Sequence, residues 1–167
     1  MPKTTITQLQ RRALFLAIRP AAQEVGEEPE AYRRRILREE LGVEHLADVS
    51  RGSGFDKLMS RIWQDRGDYA RALDYETGSF SRLKHLIVKA AERIVSARPD
   101  WRGTAYDYIA GVMRQAGMIP ADTPRAWCDR LATDSGWSDL TEPQLRRLLL
   151  MLQTHIRRHA QHPAANP

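Results

Sequence analysis

Apolar residues in this chain recur at helical spacing in four long stretches, and no stretch alternates apolar with polar residues long enough to make a strand. Phe55, Leu58, Met59, Ile62 and Trp63 fall at i, i+3, i+4, i+7 and i+8, one stripe on a helix of 3.6 residues per turn. Leu83, Leu86, Ile87, Ala90, Ala91, Ile94 and Val95 continue that spacing over three turns. Tyr106, Ile109, Ala110, Met113 and Ala116 make a further stripe, and Leu145, Leu148, Leu149, Leu152 and Ile156 the last. A chain patterned in this way is expected to be all-α.

Helix boundaries can be read from the punctuation. A first helix is expected from near Thr7, carrying Leu9, Ala13, Leu16 and Ala17, with Pro20 ending or kinking it. Glu28-Pro29 opens a second, carrying Tyr32, Ile36 and Leu37 and stopping at Gly42. Gly52-Ser53-Gly54 reads as a flexible link before the Phe55 helix. Thr123-Pro124 reads as an N-cap followed by a first-turn proline, for a helix through Trp127 and Leu131 that ends before Gly136. In Thr141-Glu142-Pro143-Gln144 the hydroxyl and the amide can satisfy free backbone donors reciprocally.

The two halves look alike. Ala31-Tyr32-Arg33 opens a helix that ends at Gly42, followed by His45 to Ser50 and the Phe55 helix. Ala126-Trp127-Cys128 opens another that ends at Gly136, followed by Trp137 to Thr141 and the Leu145 helix. Such a recurrence means one supersecondary unit used twice, with Tyr32 and Trp127 as matching core anchors. The expected organisation is an N-terminal unit over 1–65, a connector plus an added amphipathic helix over 66–100, a C-terminal unit over 101–160 and a disordered tail over 161–167.

At 167 residues, the chain has room for one ordinary domain or two very small ones. Its longest apolar run, Leu148 to Leu152, is far short of the roughly 20 residues of a membrane span, and no membrane partner is expected. The first residues lack the apolar core of a signal peptide, and the single cysteine, Cys128, excludes an internal disulfide framework. Both point to the cytoplasm. The net charge of +5 is unevenly spread: residues 1–80 hold 13 basic and 13 acidic side chains, residues 81–167 hold 13 and 8. A basic second half points mildly to an anionic partner such as nucleic acid.

Two arginine clusters are the candidate binding residues: Arg33, Arg34, Arg35 and Arg38 after Tyr32, and Arg146, Arg147, Arg157 and Arg158 on the C-terminal helix. The planar guanidinium fork suits phosphate and carboxylate alike. The plainer reading is a solvated face. For the first cluster Glu30, Glu39 and Glu40 lie within reach along the helix, whereas the second is read as lacking acidic neighbours. His155 and His159, four apart and followed by His162, could share a metal, but no further ligand completes a site; surface histidines are expected, and no metal. Cys128 has no base to activate it and reads as a half-buried core residue. Trp101, Tyr106 and Tyr108 could stack on bases if exposed, but aromatics at this spacing are usually core. Asp48 and Asp139 fit turns or caps. There is no phosphate-binding glycine loop, dinucleotide fingerprint, nucleophile elbow or zinc spacing. No catalytic residue, cofactor or enzymatic activity is therefore expected.

Tyr106-Asp107-Tyr108-Ile109 through Gly117, Arg125-Ala126-Trp127, Gly136 through Thr141, and Gln144-Leu145 together resemble the phage Mu GemA-like regulatory proteins. The apolar helix Ala13 to Ile18, followed by Glu30-Ala31-Tyr32-Arg33 and a glycine-ended helix, resembles the N-terminal part of that family. The resemblance spans most of residues 6–158 and rests on spacing and anchor residues. The 66–100 stretch is longer than the family's short basic linker, and Arg51 to Gly54 interrupts the run from cap into helix. It implies a phage or prophage regulator that alters host gene expression through DNA topology, by binding DNA or a host protein such as gyrase. The alternatives are a helical adaptor with no nucleic-acid contact, or an enzyme whose site carries no known signature.

Overall fold

The computed structural model describes residues 4–76, 80–133 and 135–161. Among them are eight α-helices, two short 3-10 turns and no strand beyond an isolated bridge between Thr5 and Ser50, so the protein is all-α. No described helix is long and apolar enough to cross a membrane. The chain divides into two compact units, Met1–Thr77 and Gly78–Pro167.

The first unit contains α1 (Gln8–Glu24), α2 (Pro29–Leu41), a 3-10 turn (Leu46–Asp48), α3 (Ser53–Asp65) and α4 (Tyr69–Leu73). Thr7 and Gln10 form a capping box on α1. Glu28 caps α2 ahead of Pro29, and the helix ends on Gly42 at φ 63°, where a Cβ would be strained. The core is drawn from Leu14, Ala17, Ile18, Ala21 and Ala22 of α1, Tyr32, Ile36 and Leu37 of α2, and Leu58, Met59 and Ile62 of α3.

Pro20 does not end α1. Pro20 lies inside the helix, which continues to Glu24; a proline removes one N–H and leaves the Leu16 carbonyl without its helical donor, a loss that solvent can make good on an outer face. Leu9 and Leu16, among the apolar residues the helix was expected to carry, are 80% and 69% exposed. The face that packs inward combines Leu14 and Ile18 with the small residues Ala17, Ala21 and Ala22, which let α1 approach α2 and α3 closely. Gly52-Ser53-Gly54 is not a free link either: Ser53 and Gly54 form the first turn of α3, and the Gly54 amide donates to Ser50 Oγ at 2.8 Å.

The second unit contains α5 (Phe80–Ser96), α6 (Ala105–Gln115), α7 (Ala126–Ala132), a 3-10 turn (Trp137–Asp139) and α8 (Glu142–Gln161). α5 packs along α8, both pack on α6, and α7 packs on α6. Leu83, Leu86, Ile87, Ala90, Ala91 and Ile94 thus meet Leu145, Leu148, Leu149 and Leu152. Residues 66–100, read as connector plus added helix, are shared between the units: α4 lies in the first, and α5 belongs to the core of the second. Residues 77–79 lie outside the described residues, as do 162–167 of the expected tail; Gln161 still belongs to α8.

Each unit contains the order helix, 3-10 turn ending on an aspartate, helix. The anchors differ. Tyr32 is fully buried, but Trp127 is only half-buried, and Trp137 fills the core instead with its indole N–H donating to Leu131 O at 2.7 Å. Thr123 does not cap α7: its hydroxyl turns back to Pro120 O, and the helix starts at Ala126. The Thr141–Gln144 capping box forms as expected.

Candidate nucleic-acid interface

α8 buries Leu145, Leu148, Leu149 and Leu152 on one side, so the positions between them point outward. Arg146, Arg147, Leu150, Thr154, Arg157 and Arg158 are all exposed there. At a rise of about 1.5 Å per residue, the two arginine pairs stand about 16 Å apart along one helix face. The second cluster does have an acidic neighbour, one turn back: Arg146 holds Glu142 through Nε at 3.1 Å and Nη2 at 2.9 Å. Arg147 and Arg158 have no carboxylate partner among the described residues. The structure therefore gathers the four C-terminal arginines on a single outer face, with Arg146 engaged by a weak, exposed i,i+4 pair.

The first cluster is in a different situation. Arg33 and Arg34 both reach Glu30 Oε1, at 2.5 and 3.2 Å. Arg35 bridges Glu27 at 2.8 Å and Glu39 at 3.0 Å, and Arg38 lies 3.9 Å from Glu44. Glu39 in turn meets Arg61 of α3 at 3.0 Å, and Arg61 also holds Glu40 at 2.7 Å and Asp65 at 3.1 Å. The Tyr32 hydroxyl donates to Asp65 at 2.7 Å. Burial, and then the Asp65 carboxylate, push the Tyr32 phenol far above its ordinary range. Burial pushes Glu39 up, but the hydrogen bonds from Arg61 and Arg35 outweigh it and hold its carboxyl low. This network joins α2 to α3.

The histidines are not simple surface groups. His155 Nδ1 and the Tyr108 hydroxyl share a hydrogen bond of 2.6 Å, and the His159 ring meets Ala97 O at 3.2 Å. Burial, with Arg158 and Arg98 nearby, lowers the His155 pKa. His162 lies outside the described residues, and the described ones bring no three metal-ligating side chains together. Cys128 is buried; burial and the neighbouring Asp107 raise its pKa, which disfavours the thiolate. Tyr108 is buried, and Trp101 packs edge-on against it at 5.2 Å.

A second surface was missed by the sequence reading. The outer side of α1 carries Leu9 and Leu16 with Arg12 and Arg19, and a cavity of about 400 Å³ beside it is lined by Phe15, Leu16 and Pro29 among others. Its signal was present, since Leu9 and Leu16 are seven apart and so are Arg12 and Arg19, but an apolar stripe alone does not say which side meets the core. No family model, curated protein or solved structure matches this chain.

Proposed function

We propose that the protein acts by binding rather than by catalysis, and that α8 of the second unit contacts duplex DNA. The observation that carries this reading is the pair Arg147 and Arg158, without carboxylate partners among the described residues, on one outer face of a helix that also presents Arg146 and Arg157. Guanidinium groups about 16 Å apart can engage phosphates on either side of a groove roughly 12 Å wide. The whole +5 of the chain lies in this half, which favours approach to a polyanion. The resemblance to GemA-like proteins supports a phage or prophage regulator acting in a bacterial cytoplasm on DNA topology, with no membrane partner and no cofactor.

The test is fluorescence anisotropy of a labelled random duplex at low and at physiological salt. Binding should weaken steeply with salt, and should fall further when Arg146, Arg147, Arg157 and Arg158 are changed to alanine. Weak binding that is identical for both proteins at both salts would contradict the proposal.

The exposed leucines of α1 favour a second reading, an adaptor that grips a protein through an apolar face, with gyrase as the first host protein to assay. That mode predicts affinity that survives moderate salt and is lost in Leu9→Asp/Leu16→Asp. Unchanged capture by that variant would exclude it.

A further inference from the structure

In the second unit, the face of α6 that carries Asp107, Gly111 and Arg114 borders an open surface cavity of about 420 Å³, also lined by Trp101, Arg102, Gly103, Arg125 and Cys128. Its two glycines are there for different reasons. A Cβ at Gly103 would come within 2.8 Å of Asp107 Oδ2, so that position is glycine for want of space beside the α6 cap. A Cβ at Gly111 would meet nothing within 4 Å, and Gly111 has no positive φ. Glycine in a helix interior is a poorer choice than alanine, and packing in the folded chain does not ask for it. What it does is keep the cavity floor at the level of the helix backbone.

The charges around that floor are unbalanced. Arg102 has no partner among the described residues. Arg114 donates through one nitrogen to Thr123 O at 3.0 Å, and Arg125, 83% exposed, lies 3.7 Å from Asp107. The one carboxylate is already occupied: Asp107 Oδ2 accepts from the Thr104 amide at 2.8 Å and the Thr104 hydroxyl at 3.1 Å. Three guanidinium groups, one engaged carboxylate, a neutral thiol, an indole and a bare stretch of helix suit an anion with a flat apolar body.

We propose that this cavity binds a nucleoside 5′-phosphate, with the phosphate held by Arg102, Arg114 and Arg125 and the flat base lying over Gly111 beside Trp101. None of these residues belongs to the α8 face, so the site stands or falls independently of duplex binding. The same chemistry could come from a free mononucleotide or from the phosphorylated end of a strand.

The experiment is calorimetric titration of the full chain with adenosine monophosphate, adenosine, and one short single strand with and without a 5′-phosphate. Adenosine monophosphate should bind saturably and adenosine at least about tenfold more weakly. A 5′-phosphorylated strand that binds more tightly than the mononucleotide would identify the strand end as the source; the reverse order would identify the free nucleotide. Gly111→Leu, which fills the floor, should weaken binding about tenfold or more, and Gly111→Ala should raise the Tm by a few degrees while weakening binding. Arg125→Gln, at an exposed position, should weaken it several-fold with unchanged Tm. No saturable binding by the folded wild-type chain, equal affinity for adenosine and its phosphate, or undiminished binding by folded Gly111→Leu would each overturn the proposal.

Discussion

Two clusters of four arginines on two helices have opposite surroundings. On α2 every guanidinium lies near a carboxylate, and Glu39 extends the set to Arg61, Asp65 and the buried Tyr32 hydroxyl. On α8 the same residue type stands outward: Arg147 and Arg158 have no carboxylate partner among the described residues, and the exposed Glu142 pairs with Arg146. Arginine count is therefore a poor guide to binding; what matters is whether a nearby carboxylate has already satisfied the fork. In the first unit Arg61 holds α2 to α3 and the α2 arginines pair with nearby glutamates, whereas on α8 Arg147 and Arg158 have no carboxylate partner among the described residues.

The largest expected effect that would sharpen this contrast is at Arg61. Changing Arg61→Ala removes a half-buried cation from three carboxylates and should destabilise the first unit by about 2–3 kcal/mol, with duplex binding unaltered. Chemical denaturation followed by hydrogen exchange checks both the size of the loss and its confinement to α2 and α3. Tyr32→Phe strips one hydrogen bond from Asp65 and should cost about 1–2 kcal/mol in the same unit.

pH separates the units further. The His155 pKa lies below its ordinary 6.5 in the folded state, so the unfolded chain takes up the proton first as pH falls. The stability of the second unit is therefore complete above about pH 6.5 and declines below it. In the first unit the depressed group is Glu39, ordinarily 4.5, so the corresponding loss begins only near and below that value. Hydrogen exchange should show α8 loosening between about pH 7 and pH 5.5 while α2 does not; His155→Gln should remove that slope. Equal loosening of both helices in that range would break the contrast.

The smallest expected effect on stability is at the α8 arginines themselves. Arg147→Ala/Arg158→Ala should change stability by no more than about 0.5 kcal/mol, because neither side chain holds a carboxylate. A large loss in thermal melting would show that they are structural after all.

Much of the fold was legible, and so was part of the geometry of the candidate site. The stripes that became α3, α5, α6 and α8 combine large apolar side chains at strict spacing, and such stripes have one way to be buried. α1 was misread because its inner face is mostly alanine and its outer face presents Leu9 and Leu16, so hydrophobicity pointed the wrong way. Pro20 was a legible breaker whose cost falls on one carbonyl of an outer turn. Trp137 outcompeted Trp127 because its indole N–H finds Leu131 O within the core. Glu142 was visible four residues before Arg146, and Asp65 four residues after Arg61, but Glu39 and Glu40 lie on α2, and only folding brings them to Arg61. The α6 cavity depends on open space at Gly111, which no spacing reveals.

The most direct test is the salt dependence of duplex affinity for the wild type, Arg147→Ala/Arg158→Ala and Arg34→Ala/Arg38→Ala, measured side by side. Removing two phosphate contacts should flatten the slope of log affinity against log salt by about 1.8 for the α8 variant, at roughly 0.9 per contact, and leave it unchanged for the α2 variant. Equal slopes for the wild type and the α8 variant, or a flattened slope for the α2 variant alone, would contradict the account.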